Sequence, residues 1–135
     1  MNNQLRDLSV IREITSLNEL DVSENQIESA EGLELLVNME KLMVSYNQIN
    51  GIGFTKNMKN LREFHCCNCG VIDVTSLKDN IYLEIVALSG TKIMNIDVFK
   101  NLQRVKDVYL AGNCINNINP LSSCTQMSSL YLSIN

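Results

Sequence analysis

The segment with the greatest potential for chemistry lies in the middle of the chain and reads His65-Cys66-Cys67-Asn68-Cys69. Imidazole and thiolate groups bind zinc, and a thiol close to a histidine can act as a nucleophile activated by a base. Two more cysteines, Cys114 and Cys124, follow later in the chain. Whether these side chains meet at one site depends on the elements that position them, and the sequence defines those elements through a repeat.

Asparagine recurs along the chain on a grid of 22 residues. The asparagines on this grid are Asn3, Asn25, Asn47, Asn113 and Asn135, and the two remaining grid points are Cys69 and Thr91. Apolar residues recur at seven offsets from each grid point: +2, +5, +8, +11, +14, +17 and +19. Over six periods, 40 of these 42 positions are apolar, whereas about 19 would be expected without a periodic pattern. The chain is therefore built of 22-residue repeats.

The spacing of the apolar offsets predicts the structure of each repeat. Offsets +17 and +19 are two residues apart, so both side chains lie on one side of a short strand. Offsets +5 to +14 are three residues apart, which is typical of a 3₁₀ or loosely helical return. Successive strands must then pair in parallel through right-handed crossovers. Six strands are predicted at residues 20–22, 42–44, 64–66, 86–88, 108–110 and 130–132.

Two of the 42 apolar positions are occupied by polar residues, Thr55 and Asn80. Each has an apolar neighbour, Phe54 and Ile81 respectively. We expect a one-residue shift of the chain to bring these neighbours inward, so that the core stays apolar along its whole length.

The grid asparagines are predicted to stabilise the turn that follows each strand. A buried backbone group without a partner costs about 1–3 kcal/mol, and an asparagine side chain both donates and accepts hydrogen bonds. Stacked asparagines can therefore connect the turns of neighbouring coils. Cys69 and Thr91 replace asparagine with groups of smaller bonding capacity, so we expect these two coils to be the softest.

The repeat also assigns every residue of the cysteine segment a structural place. Cys66 replaces a core leucine, Cys69 replaces a grid asparagine, and Cys67 belongs to a column of small residues. Cys66 and Cys67 therefore point to opposite sides of a strand and cannot easily share one ion. Cys124 fills a core position in another coil. We predict no metal and no cofactor, and His65 and Cys67 remain the pair for which thiol chemistry is the alternative.

The repeated pattern L-x-x-L-x-L-x-x-N-x-I-x-x-I-x-x-L-x-x-L resembles the leucine-rich repeat family over essentially the whole chain. Its 22-residue period is most similar to the subfamily typified by a nuclear regulatory subunit of type 1 protein phosphatase. Dynein-arm light chains, a spliceosomal subunit and bacterial internalins share this period. The resemblance implies an α/β solenoid: a right-handed, horseshoe-shaped superhelix with six parallel strands on its concave face and short 3₁₀ helices on its convex side. It also implies protein binding on the concave face.

In this geometry, offsets +16, +18, +20 and +21 project from the sheet away from the core. The first coil is acidic on this face, the later coils are aromatic and apolar, and offset +20 is small throughout. The residues predicted to bind a partner are Glu19, Asp21, Lys41, Met43, Tyr46, Glu63, His65, Ile85, Asp107, Tyr109 and Tyr131. Tyrosine and methionine are common anchors at protein interfaces, although tyrosine is also favoured in strands for its β-propensity alone.

Composition narrows the classes of function. The 135 residues carry a net charge of −4, and acidic residues dominate the first 40 positions without a clustered basic face anywhere. Nucleic-acid binding is therefore not expected. No uncharged run approaches the roughly 20 residues that span a bilayer, so no membrane contact is predicted. Five cysteines without an export signal favour reduced thiols and a cytoplasmic or nuclear protein.

We expect one domain over residues 1–135, with about six repeats and no C-terminal cap. The last core edge would then be open to water, which favours either a longer array or self-association through that edge.

The sequence therefore predicts a non-enzymatic interaction scaffold, because motifs such as H-E-x-x-H and G-x-S-x-G are absent. By resemblance its partner is the catalytic subunit of a protein phosphatase. The alternatives are a dynein light-chain-like adaptor and a surface-attached or secreted recognition protein similar to internalins.

Overall fold

The computed structural model describes residues 3–135, and its central element is a six-stranded parallel sheet whose strands follow one another in chain order. The strands are Glu19–Asp21 (β1), Lys41–Met43 (β2), Glu63–His65 (β3), Ile85–Ala87 (β4), Asp107–Tyr109 (β5) and Ser129–Tyr131 (β6). Short 3₁₀ helices alternate with them, at Ser9–Glu13, Leu33–Leu35, Gly53–Asn57, Thr75–Asp79, Asp97–Asn101 and Asn119–Ser123. The predicted solenoid is confirmed.

Each strand lies one residue earlier than predicted, although the hydrogen bonds between neighbouring strands continue beyond the strand ends. The Val22 N–H donates to the Met43 carbonyl at 2.9 Å, and the Glu24 N–H donates to the Ser45 carbonyl at the same distance. The same bonds recur in later coils, up to the Gly112 N–H and the Ser133 carbonyl. The extended segment therefore includes the residues that the sequence placed in the strands.

The return half of each coil consists of consecutive three-residue turns. In the third coil, Thr55, Met58 and Leu61 each donate a backbone N–H to the carbonyl three residues earlier, at 2.9–3.1 Å. A 3₁₀ turn contains three residues, so side chains spaced by three point to one side. This geometry explains why the apolar offsets +5, +8, +11 and +14 all face the core.

The expected inward shift is wrong at Asn80, and at Thr55 the neighbouring Phe54 is buried as expected but does not displace the threonine. Both residues keep their core positions and are fully buried, and Ile81 is half-exposed, while Phe54 is buried beside Thr55. Hydrogen bonds make this possible: the Thr55 hydroxyl donates to the Ile52 carbonyl at 2.8 Å, and the Asn80 Nδ2 donates to the Thr55 and Met58 carbonyls. A polar side chain is tolerated in a core when it is bonded in this way, and of these two side chains only the Asn80 Oδ1 is left buried without a hydrogen-bond partner among the described residues.

The asparagine ladder is present. Asn47 Nδ2 donates to the carbonyls of Val22 and Val44 at 2.9 and 3.0 Å, and its Oδ1 accepts from the Ile27 N–H at 3.0 Å. Asn113, three coils further along the chain, makes the corresponding bonds. Each asparagine thus connects the turn of its own coil to that of the preceding coil.

Cys69 and Thr91 reproduce only the donor half of this arrangement. The Cys69 thiol donates to the Val44 carbonyl at 3.3 Å, and the Thr91 hydroxyl lies 2.9 Å from the Leu88 carbonyl. Within residues 3–135, neither side chain accepts the backbone N–H that lies twenty residues earlier, as Asn47 and Asn113 do. The N–H groups left without that acceptor belong to Ile49 and Val71, both of which are buried.

The core is continuous along the sheet but thins at the last coil. The central strand residues Leu42, Phe64, Val86 and Val108 are completely buried, whereas Leu130 is 41% exposed. Self-association through this edge stays a prediction. The single domain predicted for residues 1–135 also stays a prediction, and its first two residues lie outside the described range.

Candidate functional site

The strand register aligns the predicted binding residues in two rows across the sheet. Three-residue strands with a buried central residue turn their first and third side chains away from the core. The first row is Glu19, Lys41, Glu63, Ile85, Asp107 and Ser129, and the second row is Asp21, Met43, His65, Ala87, Tyr109 and Tyr131. We call this surface the concave face.

The end of the concave face over β1 is acidic. Glu19, Asp21 and Glu24 are all exposed, and Asp21 Oδ1 accepts a hydrogen bond from the backbone N–H of Ser23 at 2.9 Å. In the described part of the chain, none of the three carboxylates has a basic side chain within 4.0 Å. Their negative charge is therefore available to a ligand.

In the middle of the concave face, the charged side chains contact one another. Lys41 Nζ lies 3.0 Å from Glu63 Oε2, and the hydrogen bond with Glu63 raises the pKa of Lys41. His65 Nε2 lies 3.9 Å from the same carboxylate oxygen and is buried without a hydrogen-bond partner. Burial lowers the pKa of His65, which favours the neutral imidazole at pH 7.

The opposite end of the concave face is aromatic. The rings of Tyr109 and Tyr131 stack with centroids 4.8 Å apart and an angle of 6° between their planes. Tyr131 is 52% exposed, and Ile134 beside it is also largely exposed. Ile85 is half-buried and Ala87 is buried on β4. This end therefore offers a flat, partly solvent-exposed aromatic surface of the kind that anchors protein interfaces.

Tyr46 extends the concave face at the turn after β2, in a backbone conformation that is unusual for its side chain. Its φ is 56°, in the left-handed region, and it is 57% exposed. Glycine occupies the equivalent position in the fourth and fifth coils, at Gly90 and Gly112. The fourth tyrosine, Tyr82, lies away from this face and contacts the Arg104 guanidinium, 4.7 Å from its ring centroid.

The cysteine segment has the structural roles that the repeat assigns. Cys66 is buried in the core and Cys69 is buried in the ladder, whereas Cys67 is partly exposed, and all five cysteines are free thiols. Burial raises the pKa of Cys67, which opposes formation of the reactive thiolate. Within residues 3–135, no three His, Cys, Asp or Glu side chains come together in a way that could hold a metal ion.

Two features were missed from the sequence. Glu40, Arg62, Glu84 and Lys106 form a ladder of alternating charge beside the strands, with successive contacts of 3.8, 3.1 and 2.6 Å. A groove of about 630 Å³ lies between the fourth and fifth returns, where the exposed side chains of Ile72 and Met94 are adjacent. Both features could have been found by aligning the chain at 22-residue intervals, because each set of residues falls in one column.

The fold and its strand-lined face define the class of this molecule as a leucine-rich repeat solenoid. Internalin C2 of Listeria monocytogenes superposes with a TM-score of 0.91 over 94% of this chain, at 26% identity. A leucine-rich repeat protein of Leptospira interrogans superposes with a TM-score of 0.90 over 98% of the chain, at 22% identity. The structural neighbours are therefore leucine-rich repeat proteins, as the repeat predicts.

Sequence similarity to known proteins is weaker than the structural similarity. No family model matches the chain. An uncharacterized protein of Caenorhabditis elegans is 22% identical over 74 residues, which are 55% of this chain and 16% of that protein. The chain spans 57% of internalin C2 and 35% of the Leptospira protein. In the described residues, no helix has the length and apolar character needed to cross a bilayer.

Proposed function

We propose that this chain is a non-enzymatic interaction scaffold that binds a protein partner on its concave face. The leucine-rich repeat fold of the chain and of its structural neighbours supports the scaffold role. The observation that carries the proposal is the stacked pair of Tyr109 and Tyr131, because two aligned aromatic rings are left partly exposed on a face that no other element within residues 3–135 covers.

The alternative of thiol catalysis has less support. A cysteine nucleophile needs a lowered pKa and an accessible sulfur, and the pKa of Cys67 is raised by burial. His65, two residues earlier on the same face, keeps its Nε2 buried and without a partner. These two side chains therefore lack the features of an activated pair.

Two hypotheses are proposed for the identity of the partner. The 22-residue period favours a regulator of type 1 protein phosphatase or, by the same resemblance, a dynein light-chain-like adaptor. The structural similarity to internalin C2 favours a recognition protein of the internalin kind. Five free thiols favour the cytoplasm or nucleus over an oxidising compartment, so we propose that location with the first hypothesis.

The test is capture of the partner from the source cell by the immobilised wild-type chain and by a Tyr109→Ala/Tyr131→Ala double variant. We expect only the wild-type chain to retain the partner, because large aromatic anchors dominate binding energy. Tyr82→Ala is the matched control, since it removes a tyrosine that lies off the concave face.

Equal retention by the double variant, with both chains shown to be folded, would contradict the proposal. Identification of the retained protein by mass spectrometry would decide between a phosphatase and the alternatives.

A further inference from the structure

The charges and shapes along the concave face narrow the chemistry of its partner. We infer that the partner presents an extended basic segment of about seven residues that crosses all six strands, with lysine or arginine side chains over β1 and apolar side chains over β5 and β6. This inference rests on the proposed function and specifies the ligand of the same surface.

The basic end of the segment follows from the distribution of unpaired charge. Glu19, Asp21 and Glu24 are exposed over β1 without a basic partner in the described chain. Lys41 on the neighbouring strand is bonded to Glu63 at 3.0 Å, and its attraction to Glu19 and Asp21 is weaker than its attraction to Glu63. A cationic side chain arriving from a partner therefore finds three carboxylates on one coil, which is the charge complementarity that steers association.

The extended conformation follows from a trough of small side chains along the sheet. The residues two positions beyond the second row are Ser23, Ser45, Cys67, Ser89, Ala111 and Ser133. In the second and third coils, Met43 and His65 border this trough on one side, and Tyr46 and Asn68 border it on the other. The borders are three residues apart, about 10 Å between backbones, so a helix of about 10–12 Å diameter is too wide.

The length of the segment follows from the number of strands that it crosses. Six strands are separated by five spacings of about 4.8 Å, which gives about 24 Å from β1 to β6. An extended chain advances about 3.3–3.6 Å per residue, so about seven residues connect the two ends.

The apolar end follows from the surface over the last two strands. Tyr131 and Ile134 are exposed there, and the Tyr109 ring is held parallel to that of Tyr131. One carboxylate, Asp107, lies at this end, and its Oδ1 accepts a hydrogen bond from the Ser128 hydroxyl at 3.2 Å. Apolar and aromatic side chains of the partner are the groups that bury this surface.

The test selects ligands without assuming their identity. A phage library of random heptapeptides is selected against the wild-type chain, and the enriched sequences are synthesised and measured by fluorescence anisotropy at several salt concentrations. We expect lysine or arginine at one end and apolar residues at the other. A Glu19→Gln/Asp21→Asn/Glu24→Gln variant should bind about tenfold more weakly at low salt and lose most of the salt dependence.

The matched control, Glu13→Gln/Glu28→Gln/Glu31→Gln, removes three exposed acidic charges of the same region that lie off the concave face. It should leave the affinity within about twofold, since exposed charges at a distance are screened. Equal weakening by both variants would overturn the inference, because the effect would then come from net charge alone.

The remaining outcomes separate the inference from the proposed function. Enrichment of acidic or uncharged peptides, or of none, would overturn the basic segment. Peptides that bind the acid-depleted variant normally but fail on Tyr109→Ala/Tyr131→Ala would overturn the basic segment and leave the concave face as the binding surface. Peptides that bind the acid-depleted variant and the Tyr109→Ala/Tyr131→Ala variant as well as the wild type would overturn the proposed function too.

Discussion

At the scale of single residues, the ladder positions decide how well each turn is bonded. Asn47 and Asn113 donate two bonds to carbonyls and accept a backbone N–H of the preceding coil. Cys69 keeps a donor but has no oxygen to accept with, and the buried N–H of Ile49 is left without that acceptor. The energetic difference between coils therefore lies in one acceptor atom.

Replacement of Cys69 by asparagine is predicted to stabilise the chain. The new Oδ1 would accept from the Ile49 N–H, so we expect Cys69→Asn to raise the free energy of unfolding by about 1 kcal/mol. Urea denaturation measures the change. Cys114→Asn is the control, because the same chemical substitution at an exposed cysteine should have no effect. A stability equal to or below that of the wild type would contradict the ladder account.

Two substitutions of Tyr46 are predicted to differ in stability but to weaken partner binding equally. Its left-handed backbone conformation costs a non-glycine residue about 1–2 kcal/mol, so Tyr46→Gly should be more stable than Tyr46→Ala by about 1 kcal/mol. Both variants remove the same side chain and should lose the same affinity for the partner. Thermal unfolding and a binding assay on the two variants provide the measurements, and equal stabilities would show that the conformation is unstrained.

At the scale of elements, each coil joins a three-residue strand to a return made of three-residue turns. The two-residue spacing of the strand and the three-residue spacing of the return could be recognised in the sequence, because the apolar side chains of both segments face the same core. The burial of the polar residues in core positions could not be recognised: Thr55 and Asn80 stay buried through bonds to carbonyls of the 3₁₀ turns, and the direction of those carbonyls depends on the folded backbone. Periodicity predicts where a side chain points but not what it bonds to.

The candidate site was predictable to the same extent. The columns of the repeat placed Tyr109 beside Tyr131, and the structure adds the parallel stacking of their rings. The pairing of Lys41 with Glu63 depends on side-chain conformations that periodicity does not determine. The charge ladder from Glu40 to Lys106 was visible in principle, because opposite charges alternate at intervals of 22 residues.

The inward and outward side chains at the end of β5, Leu110 and Tyr109, are predicted to respond differently to truncation. Leu110 is fully buried, so Leu110→Ala should cost about 2–5 kcal/mol by leaving a cavity. Tyr109 projects from the other side, and Tyr109→Ala should cost about 1 kcal/mol or less through the lost ring contact while weakening partner binding. Chemical denaturation of both variants tests the register. Equal losses of stability would mean that the assigned sides of the strand are wrong.

At the scale of the whole molecule, the chemical character of the concave face changes from one end of the sheet to the other. Carboxylates without a basic partner among residues 3–135 occupy the end over β1, an internally paired cluster of charges occupies the middle, and stacked tyrosines occupy the end over β5 and β6. A rigid parallel sheet holds these zones at fixed separations, so a partner that matches all three binds in one orientation. In the proposed function, specificity comes from the arrangement of these three zones.

The most direct measurement is oxidative footprinting of the tyrosines by mass spectrometry, with and without the partner bound. Tyr46, Tyr109 and Tyr131 lie on the concave face, whereas Tyr82 lies elsewhere beside Arg104 and serves as an internal control. We predict that the partner protects the three concave tyrosines and leaves the oxidation of Tyr82 unchanged. Protection of Tyr82 alone, or unchanged oxidation of all four, would contradict binding on the concave face.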